Sequence, residues 1–287
     1  MSGAIGFLRR YLASKIAAAG LFGVMLVIGL AVLAPLIVPF DPDAQDILLR
    51  LKPPGTVTED GLYVLGTDAL GRDVLSRLMV AARISLLVGV ASVVLSGLIG
   101  VTLGLVMGYD EGWTGRAIMV VTDIQLAIPF LVLALAVVAV LGPSLLNLIL
   151  VLGATNWVQY ARVVRAECLV LRNREFVQAA RALGASRLRI LRRHLLPNVM
   201  SSIVVISSLQ VAKMILLESS LSFLGLGVPA SIPTWGVMIA DGRNYVANAW
   251  WVAAIPGLAI FVTVVGINVV GDRLRDLLDP KLRQVEN

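Results

Sequence analysis

Apolar residues run in long blocks along this chain, and polar residues gather between the blocks. A helix that crosses the hydrocarbon core of a bilayer needs about 20 predominantly apolar residues. Six segments meet that need: 16–38, 84–107, 117–141, 144–161, 198–217 and 250–270. The first two carry no charge, the third holds Asp123 and the fifth holds Lys213. Several are apolar all round rather than on one side, as lipid-embedded helices are. The pattern predicts an all-α polytopic membrane protein with six transmembrane helices.

The first block follows Arg9, Arg10 and Lys15, the flank of a signal peptide, with an arginine pair that also hints at a twin-arginine signal. Its 23 residues exceed the about 7–15 of a signal h-region, and more membrane follows, so we read it as a span. Residues 40–83 are polar, with Asp41, Asp43, Asp46, Glu59 and Asp60 and a turn at Pro53-Pro54-Gly55. The end of this stretch reads as a helix lying on the membrane, capped by Thr67 or Asp68, with Leu70, Val74, Leu75, Leu78 and Met79 on one face. Arg72, Asp73 and Arg77 read as its solvated face rather than as a metal or substrate site. In the second span Ser92, Ser96, Gly100, Gly104 and Gly108 recur every fourth residue, which predicts a close helix–helix seam.

Composition narrows the function. The chain is 58% hydrophobic and 15% charged, with mean hydropathy +0.90; soluble domains carry about 25% charged residues. A cytosolic enzyme, a disordered chain and a collagen are excluded. One cysteine, Cys168, and one histidine, His194, leave no intramolecular disulfide and no Cys or His metal cluster. Neither a G-x-x-x-x-G-K-[ST] loop nor H-E-x-x-H is present, so no catalytic residue and no metal ligand is assigned. The net charge is +6. With the N-terminus inside, 17 basic residues fall in the N-tail 1–15, the loop 108–116, the segment 162–197 and the C-tail, against six outside. The positive-inside rule then puts both termini in the cytoplasm and accounts for the charge through the lipid bilayer, with no nucleic acid. The organisation that follows is a tail 1–15, a first helix 16–38, an outer loop 40–83, a membrane core 84–271 and a C-tail 272–287.

Ionisable groups inside a membrane are functional candidates by default. Asp123 lies near the inner end of its span, ahead of Pro129, which should kink the helix. It suits an interfacial acid that orders the neighbouring loop, or a proton relay. Lys213 lies toward the outer end of its span, within reach of the interface. Glu218, five residues on, is not well placed to pair with it on one helix. With Gln210 these form the candidate pathway or gate residues, although helix–helix hydrogen bonds call for the same groups. Further on, Leu221 to Gly227 lead into a loop with Pro229, Pro233 and Trp235, which suits an outer gate, a dock or a plain re-entrant connection.

The segment 162–197 holds nine Arg, no Lys and two acids, Glu167 and Glu175. Within it, REFVQAARALGASRLRILRRHLLPN reads as a short helix, a break at Gly184 and a second short helix capped by Ser186. A basic segment lying on anionic lipid explains the arginines. It does not explain Ala179-Ala180 followed by a glycine at a set distance. Small residues and a glycine turn suit a helix that seats in a groove of another protein.

That spacing resembles the coupling motif of ABC importer permeases, E-A-A-x3-G-x9-I-x-L-P. Here it is Gln178-Ala179-Ala180, Gly184, then His194-x-Leu196-Pro197, with Gln for Glu and His for Ile. The stretches LGTDALGRDVLSRL, ARISLLVG, YARVVRAECL, RHLLPN, LSFLGLG, TWGVMI and GDRLRDLLDPK are similar to the dipeptide/oligopeptide/nickel subgroup, in particular its dipeptide permease C-like subunit. The resemblance implies a type I ABC permease-like fold in the plasma membrane of a bacterium or archaeon. It implies as partners a second homologous permease, two cytoplasmic ABC ATPase subunits and an extracytoplasmic substrate-binding protein. ATP and Mg would be used by the ATPases, this chain binding no cofactor. Phe176, Gln178, Ala179, Ala180, Leu183 and Gly184 would carry the coupling, Leu196 and Pro197 would close the motif, and Arg187, Arg189 and Arg193 would add charged contacts. His194 would be a structural contact where the chain returns to the membrane. The cargo implied is di- or oligopeptides, with nickel or glutathione as alternatives. An ion-gradient-driven secondary transporter, from another class, would need polar groups near the bilayer midplane and would have no use for the Ala-Ala-Gly segment.

Overall fold

The computed structural model describes residues 11–110 and 112–278. Arg9, Arg10, most of the C-tail and the end of GDRLRDLLDPK lie outside the described residues. The helices are α1 (Lys15–Ile37), α2 (Val74–Tyr109), α3 (Trp113–Ala127), α4 (Phe130–Leu141), α5 (Leu145–Leu171), α6 (Glu175–Ala182), α7 (Arg187–Ile190), α8 (Leu196–Phe223), α9 (Trp235–Gly242) and α10 (Trp251–Leu278). A wider helical turn, Leu191–Leu195, joins α7 to α8. Between α1 and α2 lies an antiparallel hairpin of β1 (Thr56–Thr58) and β2 (Gly61–Tyr63), with Val57 opposite Leu62.

A backbone in lipid must satisfy its own polar groups, and side chains serve the free N–H groups at the helix starts. Asp73 accepts from the Ser76 N–H at 2.7 Å, Ser144 from Asn147 at 3.1 Å and Thr234 from Val237 at 3.2 Å.

By length and hydropathy, four helical stretches among the described residues can cross a membrane: α1, α2, the run from Arg187 to Phe223 and α10. The bent pair α3–α4 makes a fifth if it is one span. The expected third span is thus two helices that meet at 88°. Pro129 has no N–H to give to the Gln125 carbonyl, and Ile128 donates there instead, at 3.3 Å, closing α3 before α4 begins. The expected fourth span lies within the 27 residues of α5. With Asn147, Asn156, Gln159, Arg162, Arg165 and Glu167 along it, α5 is too polar to be counted with the four.

The centre of the fold is α2 packed along α5. A Cβ on Gly104 would meet the Ala161 carbonyl at 2.8 Å and the Val164 Cβ at 2.9 Å. One on Gly100 would meet the Tyr160 Cβ at 2.6 Å, and one on Gly108 would strike Cys168. Ser92 and Ser96 are fully buried on the same stripe. The small residues of α2 are therefore the seam the sequence predicts. Around this pair pack α8, α10 and α1, burying Ile215, Trp235, Met238, Trp251 and Ile260 in one cluster.

The polar stretch before α2 departs from expectation twice. The cap is Asp73, not Thr67 or Asp68, and no separate surface helix forms: α2 starts at Val74 and runs through Arg83 into the apolar segment for 36 residues. The charges are also not a solvated face. Asp68, Arg72, Asp73 and Arg77 are each less than a tenth exposed. Arg72 Nε donates to Asp68 Oδ2 at 2.7 Å and Arg72 Nη2 to Asp241 Oδ2 at 3.3 Å; Arg77 lies 3.7 Å from Asp68 and 3.6 Å from Asp43. Burial pushes the Asp241 carboxyl above its usual range, and Arg72 and Arg77 oppose that shift. The loop folds back over these groups, with Lys52 and Leu49 bonding Thr67 and the Trp251 indole N–H donating to the Thr67 carbonyl at 3.2 Å.

Candidate functional site

The arginine-rich segment forms a surface at one end of the bundle. It is fixed from beneath by Val177, Ile190 and Leu195, each fully buried against Leu105, Val164, Cys168 and Val199. Its other face is open: Phe176 is 42% exposed, Leu188 55% and Leu183 87%, and Gln178, Ala179, Gly184, Arg187 and Arg189 are exposed with them. Large apolar side chains stand here among small residues, on a face that no other part of the described residues covers.

The turn after α6 has the Schellman form. The Gly184 N–H donates to the Arg181 carbonyl and the Ala185 N–H to the Ala180 carbonyl, both at 3.0 Å. Gly184 has φ +77°, a conformation an L side chain adopts only at a cost, and a Cβ there would meet nothing within 4 Å. Glycine is therefore demanded here by the backbone and not by crowding within the chain. Ser186 then caps α7 on the Arg189 N–H at 3.4 Å, as the sequence predicts. Gln178 Nε2 donates to the Arg172 carbonyl at 3.3 Å, a bond that a carboxylate at this position cannot donate. Leu196 and Pro197 open α8 directly after the wider turn Leu191–Leu195. The His194 ring lies 6.3 Å from that of Phe176, and its carbonyl accepts from Asn198 at 2.6 Å, both structural contacts.

Beside α6 a cleft of about 570 Å³ is lined by Tyr109, Asp110, Arg172, Asn173, Arg181 and Arg187. The Arg181 guanidinium stands 5.3 Å from the centre of the Tyr109 ring. The Gly112 N–H, 2.9 Å from Asp110 Oδ1, and the Thr114 hydroxyl hold the Asp110 carboxyl below its usual range.

The four pathway candidates do not converge. Asp123 pairs with Arg162 at 3.3 Å, both side chains more than half exposed. Gln210 is buried in α8, and among the described residues its Nε2 has no partner. Lys213 Nζ donates to Asn156 Oδ1 on α5 at 3.1 Å. Glu218 is fully buried and accepts from Ser222 at 2.7 Å and from Ser85 and Ser219 at 3.3 Å, tying α8 to α2. Ser85 in turn accepts the Trp235 N–H at 3.3 Å, so α9 is held to the same point.

Sequence reasoning passed over Gln125. Its Nε2 donates to the Ala154 and Thr155 carbonyls at 3.1 and 2.7 Å, and its Oε1 accepts from the Trp157 indole at 2.7 Å, fastening the broken third segment to α5. Its place between Asp123 and Pro129 was the available signal. Among the described residues no group of three or more His, Cys, Asp or Glu is arranged to hold a metal.

Residues 100–284 match the family described as binding-protein-dependent transport system inner membrane component, and residues 5–54 match the N-terminal TM domain of oligopeptide transport permease C. The di/tripeptide transport system permease protein DppC of Pseudomonas aeruginosa is 43% identical over 96% of this chain and 92% of its own. The glutathione transport system permease protein GsiD of Pectobacterium atrosepticum is 42% identical over 96% and 91%. The oligopeptide transport system permease protein OppC of Bacillus subtilis is 41% identical over 96% and 88%. Among solved structures, the MetNI methionine ABC transporter in an inward-facing conformation superposes with TM-score 0.58 over 71% of this chain and 96% of that one, at 19% identity.

Proposed function

Because the chain belongs to the family of binding-protein-dependent transport system inner membrane components, we propose that it is a membrane-spanning permease subunit of an ATP-driven importer of di- or oligopeptides. The observation that carries this reading is the open face of α6 and its glycine turn, built on a buried aliphatic base at the arginine-rich end. Phe176, Ala179, Leu183 and Gly184 seat in a groove of a cytoplasmic ATPase, and Arg187 and Arg189 flank the contact with positive charge. The buried base makes the surface rigid toward its own bundle, so closure of two ATPases on ATP and Mg reaches α5 and α8 directly. A second homologous permease completes the pathway, and a binding protein delivers the peptide from the outer side. Both termini and the arginine-rich segment face the cytoplasm, in keeping with the basic excess at that end. The chemistry of ATP hydrolysis belongs to the partner chains. Relatives that carry peptides and a relative that carries glutathione support a peptide cargo.

Extraction from the native membrane in mild detergent, with mass spectrometry of what stays bound, tests this. The expected complex contains two ATPase copies or chains and a second permease, and its ATP hydrolysis rises with the peptide-loaded binding protein. A chain that purifies alone, with transport driven by an ion gradient, overturns the reading.

A further inference from the structure

Lys213 stands 17 residues beyond Leu196, about 25 Å along α8. Its surroundings leave its charge unmatched. Among the described residues no carboxylate lies within 4.0 Å of its ammonium, and its hydrogen bond is to a neutral acceptor, Asn156 Oδ1. The next acid on the helix, Glu218, is occupied by three serine hydroxyls. A lysine ammonium carries three donors, so two remain. A cation in an apolar helix with no anion beside it is costly to hold and marks a functional position.

Its position on the helix says what it faces. Ser202, Ile206, Leu209 and Lys213 follow one another at helical spacing and share a face of α8. On α5, Asn156, Val163 and Glu167 do the same. A groove of about 450 Å³ lies between these stripes and the end of α10, lined among others by Val163, Glu167, Ser202, Leu209 and Arg275; small-molecule sites span about 300–1,000 Å³. The Lys213–Asn156 pair thus stands on the same faces as this groove, further from the arginine-rich end. The stripes carry Asn156 and Glu167 on α5 and Ser202 on α8, whose hydroxyl donates to the Glu167 carboxylate, so the two faces meet through polar groups rather than through apolar packing alone.

Resting on the peptide reading above, we propose that Lys213 receives the terminal carboxylate of the peptide as it crosses the membrane. Every free peptide carries that group whatever its side chains. A residue that reads it holds the cargo without selecting sequence, and Asn156 fixes the ammonium for the task.

The test uses the assembled transporter with its binding protein in proteoliposomes and dialanine as the probe. ATP-driven dialanine uptake is compared for wild type, Lys213→Gln and Lys213→Arg at equal amounts of assembled complex. From the usual strength of charged hydrogen bonds, a loss of about tenfold or more is expected for Gln, with Arg within about threefold of wild type. Magic-angle NMR of 13C-carboxyl dialanine with 15N-lysine complex then looks for a carboxylate–Nζ dipolar coupling that the Gln variant lacks. Unchanged uptake in Lys213→Gln overturns the proposal. So does lost uptake with no such coupling in the wild type, which points instead to a fixed ion pair with a carboxylate of the second permease. If both variants fail to assemble, the coupling in the wild type alone decides. A wild-type complex that carries no peptide refutes the peptide reading itself.

Discussion

Gly184 offers the sharpest test of the docking surface, because its surroundings separate two effects that usually mix. A Cβ there meets nothing within 4 Å among the described residues, yet φ is +77°. A substitution therefore costs backbone conformation and not packing. For an ordinary L residue in the left-handed region that cost is about 1–2 kcal/mol. A cost of about 1–2 kcal/mol lowers the ratio of the Schellman turn to its alternatives about 5- to 30-fold. Asparagine tolerates this region and should cost least, alanine more, and valine most, since branching at Cβ stiffens it further. In proteoliposomes with the whole complex, binding-protein-stimulated ATP hydrolysis and peptide uptake should fall in the order Gly, Asn, Ala, Val. Expression and thermal stability of the permease should change little, because α6 is held by Val177, Ile190 and Leu195. Valine with normal uptake refutes the docking assignment. Asparagine as damaging as valine refutes the conformational argument and leaves a steric limit set by the partner's groove.

Three further outcomes are expected. Gly104→Ala should lower the stability of the detergent-solubilised permease by about 1–3 kcal/mol in thermal unfolding, because the Ala161 carbonyl it meets is backbone and cannot yield; Gly257→Ala, inside α10 with open space around it, should not lower it and should raise it by up to about 1 kcal/mol. Asp68→Asn should cost about 3–5 kcal/mol in the same assay, since it leaves the buried Arg72 and Arg77 short of a counter-charge; stability near wild type would mean that this network is solvated. Asp123→Asn should keep most of the uptake, because an exposed pair such as Asp123–Arg162 contributes about 0–1 kcal/mol, and complete loss in an assembled complex would restore a proton-relay role.

The long helices were legible because lipid leaves a plain record. The block 16–38 is α1, Lys15–Ile37, within a residue at each end, and 250–270 begins α10. Pro129 announced a break but not its angle: a missing N–H removes one bond, and packing decides where the chain turns next. The charges at 68–77 misled for a related reason. Burial of an ion pair depends on a loop that folds over it, and nothing local in Arg72 or Arg77 records that loop; the i, i+4 spacing of Asp68 and Arg72 was the one trace. In the proposed docking segment the open residues were readable from their spacing. Their supports at Val177, Ile190 and Leu195 were not, because in a chain this rich in aliphatics three more carry no signal. Lys213 was visible as a charge in a span, while its partner Asn156 belongs to a helix 57 positions away in sequence.

The unbroken course of α2 has a mechanical meaning. Its 36 residues make a strut about 54 Å long, well beyond the about 30 Å of the hydrocarbon layer. One end carries Asp73 and the buried ion network, the other Tyr109 and the wall of the arginine-lined cleft. With no proline or break between them, the two ends form one lever. A rocking of about 10° about its middle displaces each tip by about 5 Å, in opposite directions. On the proposed function, arrival of cargo at one membrane surface and engagement of the motor near the other need no relay of side chains, because a single rigid member runs between the two surfaces.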